Sequence, residues 1–253
     1  MAAHEGEAPA RLMIEALALA PNVEPIDDRV RAGEIVGLAG LDGHGQEAFL
    51  EALCGLHAPH SGRVMVATGP EPVPITGFRQ AVRRGVAYLA RDRRLNGIFP
   101  SLSILDNFGL VSMESDRRFG LIDRRRQRAR YETWRRRLSI VAPRPDRPIT
   151  TLSGGNQQKV LLARWLALGP RVLLLNDPTR GVDQRTRETL YEAFRDLALN
   201  EGMALVALST EIEELLRLCD RVLVFREQHV AARLAGAGVS QDRVIAAMFG
   251  HVG

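Results

Sequence analysis

The stretch from Thr151 to Asp183, TLSGGNQQKVLLARWLALGPRVLLLNDPTRGVD, limits the possible folds more than any other part of the chain. A Ser153-Gly154-Gly155 turn opens a segment, Leu152 to Leu168, with apolar residues at Val160, Leu161, Ala163, Trp165 and Leu166, which predicts a helix. Gly169-Pro170 ends it. Val172 to Leu175 is an unbroken apolar run of strand length, as expected for a strand buried on both faces of a parallel sheet. Asn176 and Asp177 follow at its carboxyl end, where open α/β sheets place their ligands. The two glycines allow close backbone approach, and the N–H groups of a helix start favour phosphate. Taken alone, the same three residues also describe an ordinary glycine turn that starts a helix.

Taken whole, LSGGNQQ followed by a helix, a strand, the Asn176-Asp177 pair, Pro178-Thr179 and Gly181-Val182-Asp183 resembles the signature and Walker B region of ABC-type ATPases. LSGGNQQK with PTRGVD is similar to the second nucleotide-binding half of importers for simple sugars such as ribose and galactose. The resemblance runs from about Glu34 to about Phe225. It implies an α/β fold: a P-loop NTPase (RecA-like) parallel-sheet core with an N-terminal antiparallel β subdomain and an inserted α-helical subdomain. Residues 1–253 then form a single domain, with core and β subdomain at about 11–96 and 151–250 and the helical subdomain at about 97–150.

RLMIEALAL and DRVRAGEIVGLAG read as short strands, and Glu34 to Ala39 as the first core strand. The family often stacks adenine on an aromatic residue before that strand, but nothing aromatic precedes Phe49. Between strand and helix lies Gly40-Leu41-Asp42-Gly43-His44-Gly45-Gln46-Glu47. A phosphate-binding loop reads G-x-x-x-x-G-K-[ST], its lysine reaching the terminal phosphates and its hydroxyl holding magnesium. Gly40 and Gly45 are in register, yet Gln46 takes the lysine place and Glu47 the hydroxyl place. An amide brings no positive charge, and a carboxylate repels phosphate oxygens. Lys159, the only lysine of the chain, falls in the signature helix, which the resemblance turns toward another subunit's nucleotide.

Four further positions depart from the family in the same direction. After the strand Val86 to Leu89, Arg91 stands where the family's Q-loop carries Gln or Glu; outside the resemblance it is a surface arginine. Asn176 stands in place of the aspartate that organises magnesium, and Asp177 in place of the glutamate that polarises the attacking water, one methylene shorter. Thr210, after the strand Met203 to Leu208, occupies the position of the switch histidine. Asp183 resembles the D-loop aspartate that communicates across the dimer. The core is expected to end with the strand Arg221 to Phe225 and the helix Asp242 to Phe249.

The charge is uneven. Ten arginines face only Asp123 and Glu132 between Arg117 and Arg137, whereas the whole chain, with 34 basic and 30 acidic residues, nets +4. Everything outside that stretch is therefore net acidic, and the high isoelectric point comes from this one segment, which holds the helix Asp123 to Leu138 and follows Ser103, a further expected N-cap. Nucleic-acid binding and a solvated face near acidic lipid headgroups both fit it; with only Phe119, Tyr131 and Trp134 interleaved, no nucleic acid is expected. No apolar run reaches the ~18 to 20 residues of a membrane span. The N-terminal MAAHEGEAPA lacks the basic and apolar regions of a secretory leader. Cys54 and Cys219 lie in apolar patterns, as core thiols would.

The expected site residues are therefore Asp177 and Thr210 for catalysis, and Asn176 and Glu47 for magnesium. For ATP they are Gly40 to Glu47, Arg91, Ser153, Gly154, Gly155, Asn156, Gln157 and Asp183. In ABC dimers each ATP lies between one subunit's phosphate loop and the other's signature. This chain keeps the part used by its partner and alters its own. The resemblance implies a subunit of a sugar importer, peripheral on the cytoplasmic face of the membrane, paired with a second nucleotide-binding domain and transmembrane permeases and not touching sugar itself. The alternatives are a weakly active homodimeric ATPase and a non-hydrolysing regulatory or scaffold module.

Overall fold

Two half-apolar segments, β1 (Ala10–Ala18) and β2 (Ile26–Arg31), pair antiparallel, with Leu12 opposite Val30 and Ile14 opposite Asp28. The computed structural model describes residues 8–67, 69, 71–118, 120–142 and 144–251. After β3 (Ile35–Gly40) and α1 (Gln46–Ala52), β4 (Ser61–Val66) returns to pair with β1, and β5 (Val73–Pro74) pairs with β4. The result is a four-stranded antiparallel sheet in the order β2-β1-β4-β5. Next come α2 (Phe78–Arg83) and β6 (Val86–Leu89).

The second stretch of chain is largely helical: α3 (Ile104–Gly109), the short hairpin β7 (Arg117–Arg118) and β8 (Leu121–Ile122), α4 (Arg124–Arg137) and α5 (Gly154–Leu166). Strands resume with β9 (Val172–Asn176), then α6 (Gln184–Glu201), β10 (Ala204–Leu208), α7 (Ile212–Leu218), β11 (Arg221–Arg226), β12 (His229–Ala235) and α8 (Gln241–Phe249). The chain divides into two compact units. The first takes the described residues through Tyr88, with 171–177 and 195 onward; the second takes 89–170 and 178–194.

In the first unit a six-stranded sheet runs β12-β11-β3-β10-β9-β6. β11, β3, β10 and β9 are mutually parallel, and β9 and β10 are buried at every position, as continuous apolar runs require. The register sets Gly40 beside Phe225 and Asn176 beside Leu208. The phosphate loop, Asp177 and Thr210 thus leave the sheet at one carboxyl edge. The sheet does not end at β11, contrary to the sequence reading. β12 adds an antiparallel edge through a two-residue turn at Glu227 (φ 50°) and Gln228 (φ 69°). No Asn-Gly or Asp-Gly marks that turn, so its sequence signal is weak. Arg221 joins the two sheets, bonding Glu34 at 2.6 Å, Asp28 at 2.9 Å and the Arg29 carbonyl at 2.7 Å.

In the second unit Ser103 caps α3, accepting from the Asp106 N–H at 3.0 Å. The centre is Arg164, buried with no carboxylate bonded to it among the described residues. Its guanidinium donates to the Asn107 carbonyl at 2.6 Å, the Gly97 carbonyl at 2.7 Å and Asn107 Oδ1 at 3.2 Å. Phe108 and Tyr131 pack edge to face at 5.5 Å, seating α4 on α3. No described helix is long and apolar enough to cross a membrane.

Candidate functional site

The expected site residues fall into two clusters, one in each unit. In the first, β3 delivers the chain to Gly40, and α1 begins where the Phe49 N–H bonds the Gly45 carbonyl at 2.8 Å. Gln46, at the lysine place, is 8% exposed and turned into its own loop. Its Nε2 donates to the Leu41 carbonyl at 2.9 Å and the Gly40 carbonyl at 3.2 Å, while its buried Oε1 has no hydrogen-bond partner among the described residues. The amide donor is spent on the loop's backbone.

A second glutamine holds the loop from outside. At the β11–β12 turn the Gln228 N–H donates to the His44 carbonyl at 3.0 Å, and its side-chain amide donates to the Gly43 carbonyl at 2.7 Å. Gly45 makes this approach possible. Its φ is 105°, and a Cβ there would lie 3.0 Å from Gln228 Cα. The residues between Leu41 and Gly45 gave no hint of Gln228, which arrives from 185 positions away.

At the strand ends, Asn176 is 1% exposed. Its amide nitrogen donates to Glu47 Oε1 at 2.8 Å and to the Tyr88 hydroxyl at 3.1 Å; its Oδ1 is buried without a hydrogen-bond partner among the described residues. The two residues expected at magnesium are therefore bonded to each other. Burial pushes the Tyr88 hydroxyl above its ordinary pKa. Burial and then the neighbouring Glu47 charge raise Glu51, one turn along α1. Asp177 takes the left-handed conformation at φ 45°. Its Oδ1 accepts from the Thr210 N–H at 2.9 Å and from the Thr210 hydroxyl at 3.3 Å, so the two expected catalytic residues meet.

In the second unit Ser153 caps α5 and is exposed. Asn156 supports it, donating to Ser153 Oγ at 3.0 Å while accepting from the Val141 N–H at 2.8 Å. Gln157 points back to the Leu152 carbonyl at 3.1 Å, and Gln158 reaches the Pro178 carbonyl at 2.8 Å. These amides shape the signature turn from behind. Gly155 must be glycine for contact reasons, since a Cβ would come within 2.5 Å of Thr186 Oγ1. Asp183 fixes Thr186 in turn, accepting its N–H at 3.0 Å and its hydroxyl at 2.9 Å. Those bonds, led by the Thr186 backbone N–H, hold the Asp183 carboxyl below its usual range.

Lys159 lies in α5, the signature helix, as the sequence places it. It faces the interior of its own unit, 7% exposed, with Nζ donating to the Ser139 carbonyl at 3.3 Å. Another residue escaped the sequence reading as well. Arg93, two positions beyond Arg91, bonds the Arg180 carbonyl at 3.1 Å and the Gly181 carbonyl at 3.4 Å, and lies against Gly154. Arg91 lies on the same loop, half-exposed.

A parallel sheet whose carboxyl edge presents a glycine loop, with a capped SGG helix in a second unit, defines an ATP-binding-cassette architecture. The ABC transporter family description matches residues 23–180, more than half the chain, and the chain belongs to that family. It is 38% identical over 240 residues to the ribose import ATP-binding protein RbsA of Geobacillus kaustophilus, covering 95% of this chain and 48% of that protein. It is 39% identical over 222 residues to the putative ribose/galactose/methyl galactoside import ATP-binding protein 3 of Agrobacterium fabrum, covering 88% and 44%. The chain thus spans about half the length of these relatives. In fold it resembles the ATP-binding cassette MJ1267 of an ABC transporter (TM-score 0.78, 15% identity, 97% of this chain and 100% of that one). It also resembles the dimeric cassette MJ0796 bound to ADP and Pi (TM-score 0.74, 19% identity, 88% and 98%).

Proposed function

We propose that this chain is a single nucleotide-binding domain of a sugar-type ABC importer whose own phosphate loop is degenerate. Its Ser153-Gly154-Gly155 signature completes the ATP site of a partner domain. The relatives' role in ribose or galactoside import supplies the solute class. The partners are a second nucleotide-binding domain and transmembrane permeases at the cytoplasmic face of the membrane. Sugar is not touched by this chain.

The observation that carries this reading is the state of Gln46. Where a lysine would extend a charge to the terminal phosphates, a neutral amide is bonded to the Gly40 and Leu41 carbonyls. Magnesium fits no better. Asn176 brings a neutral oxygen, its amide nitrogen already occupies one oxygen of Glu47, and no group of three His, Cys, Asp or Glu stands together among the described residues. No hydrolytic step is assigned to this chain's own loop. Ser153, by contrast, is exposed and held in place by Asn156. Arg93, packed on Gly154 and bonded to Gly181, would carry a change at the signature to the turn that precedes Asp183.

Steady-state Mg-ATP hydrolysis tests the reading. The purified chain and its Gly154→Asp variant should both turn over at the buffer rate. In a transporter containing one complete cassette, Gly154→Asp should lower turnover at least about tenfold, while Gln46→Ala should leave it within about twofold. Turnover by the isolated chain that disappears with Gly154→Asp would instead establish a working homodimer and overturn the proposal.

A further inference from the structure

α4 breaks the usual rules of helix electrostatics. Its first turn carries Arg124, Arg125 and Arg126 with no acidic residue, at the end where the helix dipole favours negative charge. Arginine pairs three and four apart, such as Arg125 with Arg128 and Arg124 with Arg128, add like-charge repulsion. The helix forms because Asp123 caps it, accepting from the Arg125 and Arg126 N–H groups at 3.1 and 3.0 Å, and because Tyr131 is buried against Phe108.

Few of the arginines are neutralised inside the protein. Arg130 turns inward to Asp116 and to Ser112 Oγ at 2.7 Å; Arg124 pairs with Asp106; Arg135 pairs with Glu132 at 2.8 Å. Arg137 lies over the Trp134 ring, 4.9 Å from its centre. That leaves Arg125, Arg126, Arg128 and Arg136 exposed, with no ion-pair partner among the described residues, and Arg117 exposed just before the helix. A helix of 14 residues, about 21 Å long, therefore presents a face on which guanidinium groups outnumber the acids beside them, Glu132 being paired with Arg135 and Asp146 with Arg144.

Two apolar side chains precede this face in the chain. Leu121, in the β7–β8 hairpin, is 76% exposed, and Met113 is 44% exposed. Exposed apolar residues next to unpaired arginines suit the boundary between headgroups and acyl chains, where the former insert and the latter meet phosphate. Stacking on bases has less to work with. Tyr131 is buried, Trp134 is covered by Arg137, and Phe119 lies outside the described residues.

We propose that the exposed arginine face of α4, with Met113 and Leu121 before it, is a docking surface for anionic phospholipid headgroups. Its partner is the membrane surface itself. This holds whether or not the chain's own phosphate loop is degenerate.

Flotation of the full chain with vesicles tests it. Binding to phosphatidylcholine vesicles containing about a third phosphatidylglycerol should exceed binding to pure phosphatidylcholine at least about tenfold, and should fall steeply as salt shortens the screening length. Arg125→Gln/Arg126→Gln/Arg128→Gln/Arg136→Gln should abolish the difference while unfolding no earlier than wild type, because repulsion is relieved. Leu121→Ser should weaken vesicle binding several-fold and leave any affinity for duplex DNA unchanged. Equal binding to both vesicle types, an unaffected fourfold variant, or tighter binding to duplex DNA or to an acidic protein than to phosphatidylglycerol vesicles at the same salt would each overturn the proposal. Earlier unfolding of the fourfold variant would do so too, by making those arginines structural.

Discussion

The Asn176 amide donates to the Glu47 carboxylate at 2.8 Å, joining the end of β9 to the start of α1. In the family these two places carry an aspartate and a hydroxyl that share magnesium. Here the carboxylate has moved from the strand to the helix and an amide has taken its former place. The two departures are complementary and should be coupled.

Asn176→Asp alone would set a second carboxylate against Glu47 in a buried position. Urea unfolding at neutral pH should show a loss of roughly 1–3 kcal/mol, which Glu47→Gln in the same background largely restores. Strict additivity of the two changes would refute the coupling.

Gln228 should report on the phosphate loop. Its φ of 69° suits glycine, so Gln228→Gly removes the bond to the Gly43 carbonyl while relieving the backbone, and Gln228→Ala removes the bond without relief. Ala should be less stable than Gly by roughly 0.5–1 kcal/mol. Both should speed amide exchange within 43–46; protection equal to wild type would show that the turn does not hold the loop.

Arg164→Met removes the donor to the Gly97 and Asn107 carbonyls deep in the second unit. A loss of about 3–5 kcal/mol is expected, since the Gly97 and Asn107 carbonyls lose the guanidinium at once, while Asn107 Oδ1 keeps the Phe99 N–H. Limited proteolysis should then cut first within 97–150. A loss under about 1 kcal/mol would mean that water replaces the guanidinium.

The thiols set an alkaline limit. Burial pushes Cys54 up from 9.0 to about 12 and raises Cys219 as well. Above pH 9 the unfolded thiol loses its proton while the folded one keeps it. The Cys54 contribution is thus complete below pH 9 and is lost as pH rises from 9 toward about 12. At pH 10 the loss is about 1.4 kcal/mol for that thiol. Unfolding midpoints from pH 8 to 10 should fall less steeply for Cys54→Ala than for wild type; parallel slopes would contradict the assignment.

The sheet's inner strands were readable because both faces are buried, which makes β9 and β10 continuous apolar runs. The cap at Ser103 was readable from sequence, whereas the caps at Asp123 and Ser153 are seen only in the structure. What escaped depends on long-range geometry. Gln228 sits in a left-handed turn that glycine or asparagine would have announced. Arg93 and Arg91 are indistinguishable in sequence until the chain brings Gly181 to one of them. Sequence placed Lys159 on the signature helix but could not show its partner, a carbonyl of the left-handed Ser139 (φ 49°). At the loop, the missing lysine was plain from sequence, but the inward fold of Gln46 was not.

Calorimetric titration of Mg-ATP into the wild-type chain, beside a Gln46→Lys/Glu47→Ser/Asn176→Asp variant, tests the degenerate loop most directly. Wild type should show no saturable binding below about 1 mM, and the triple variant should bind at least about tenfold tighter. Saturation of wild type at low micromolar Mg-ATP, with no gain in the variant, would contradict the reading of Gln46 as a neutral strut and return the phosphate loop to full function.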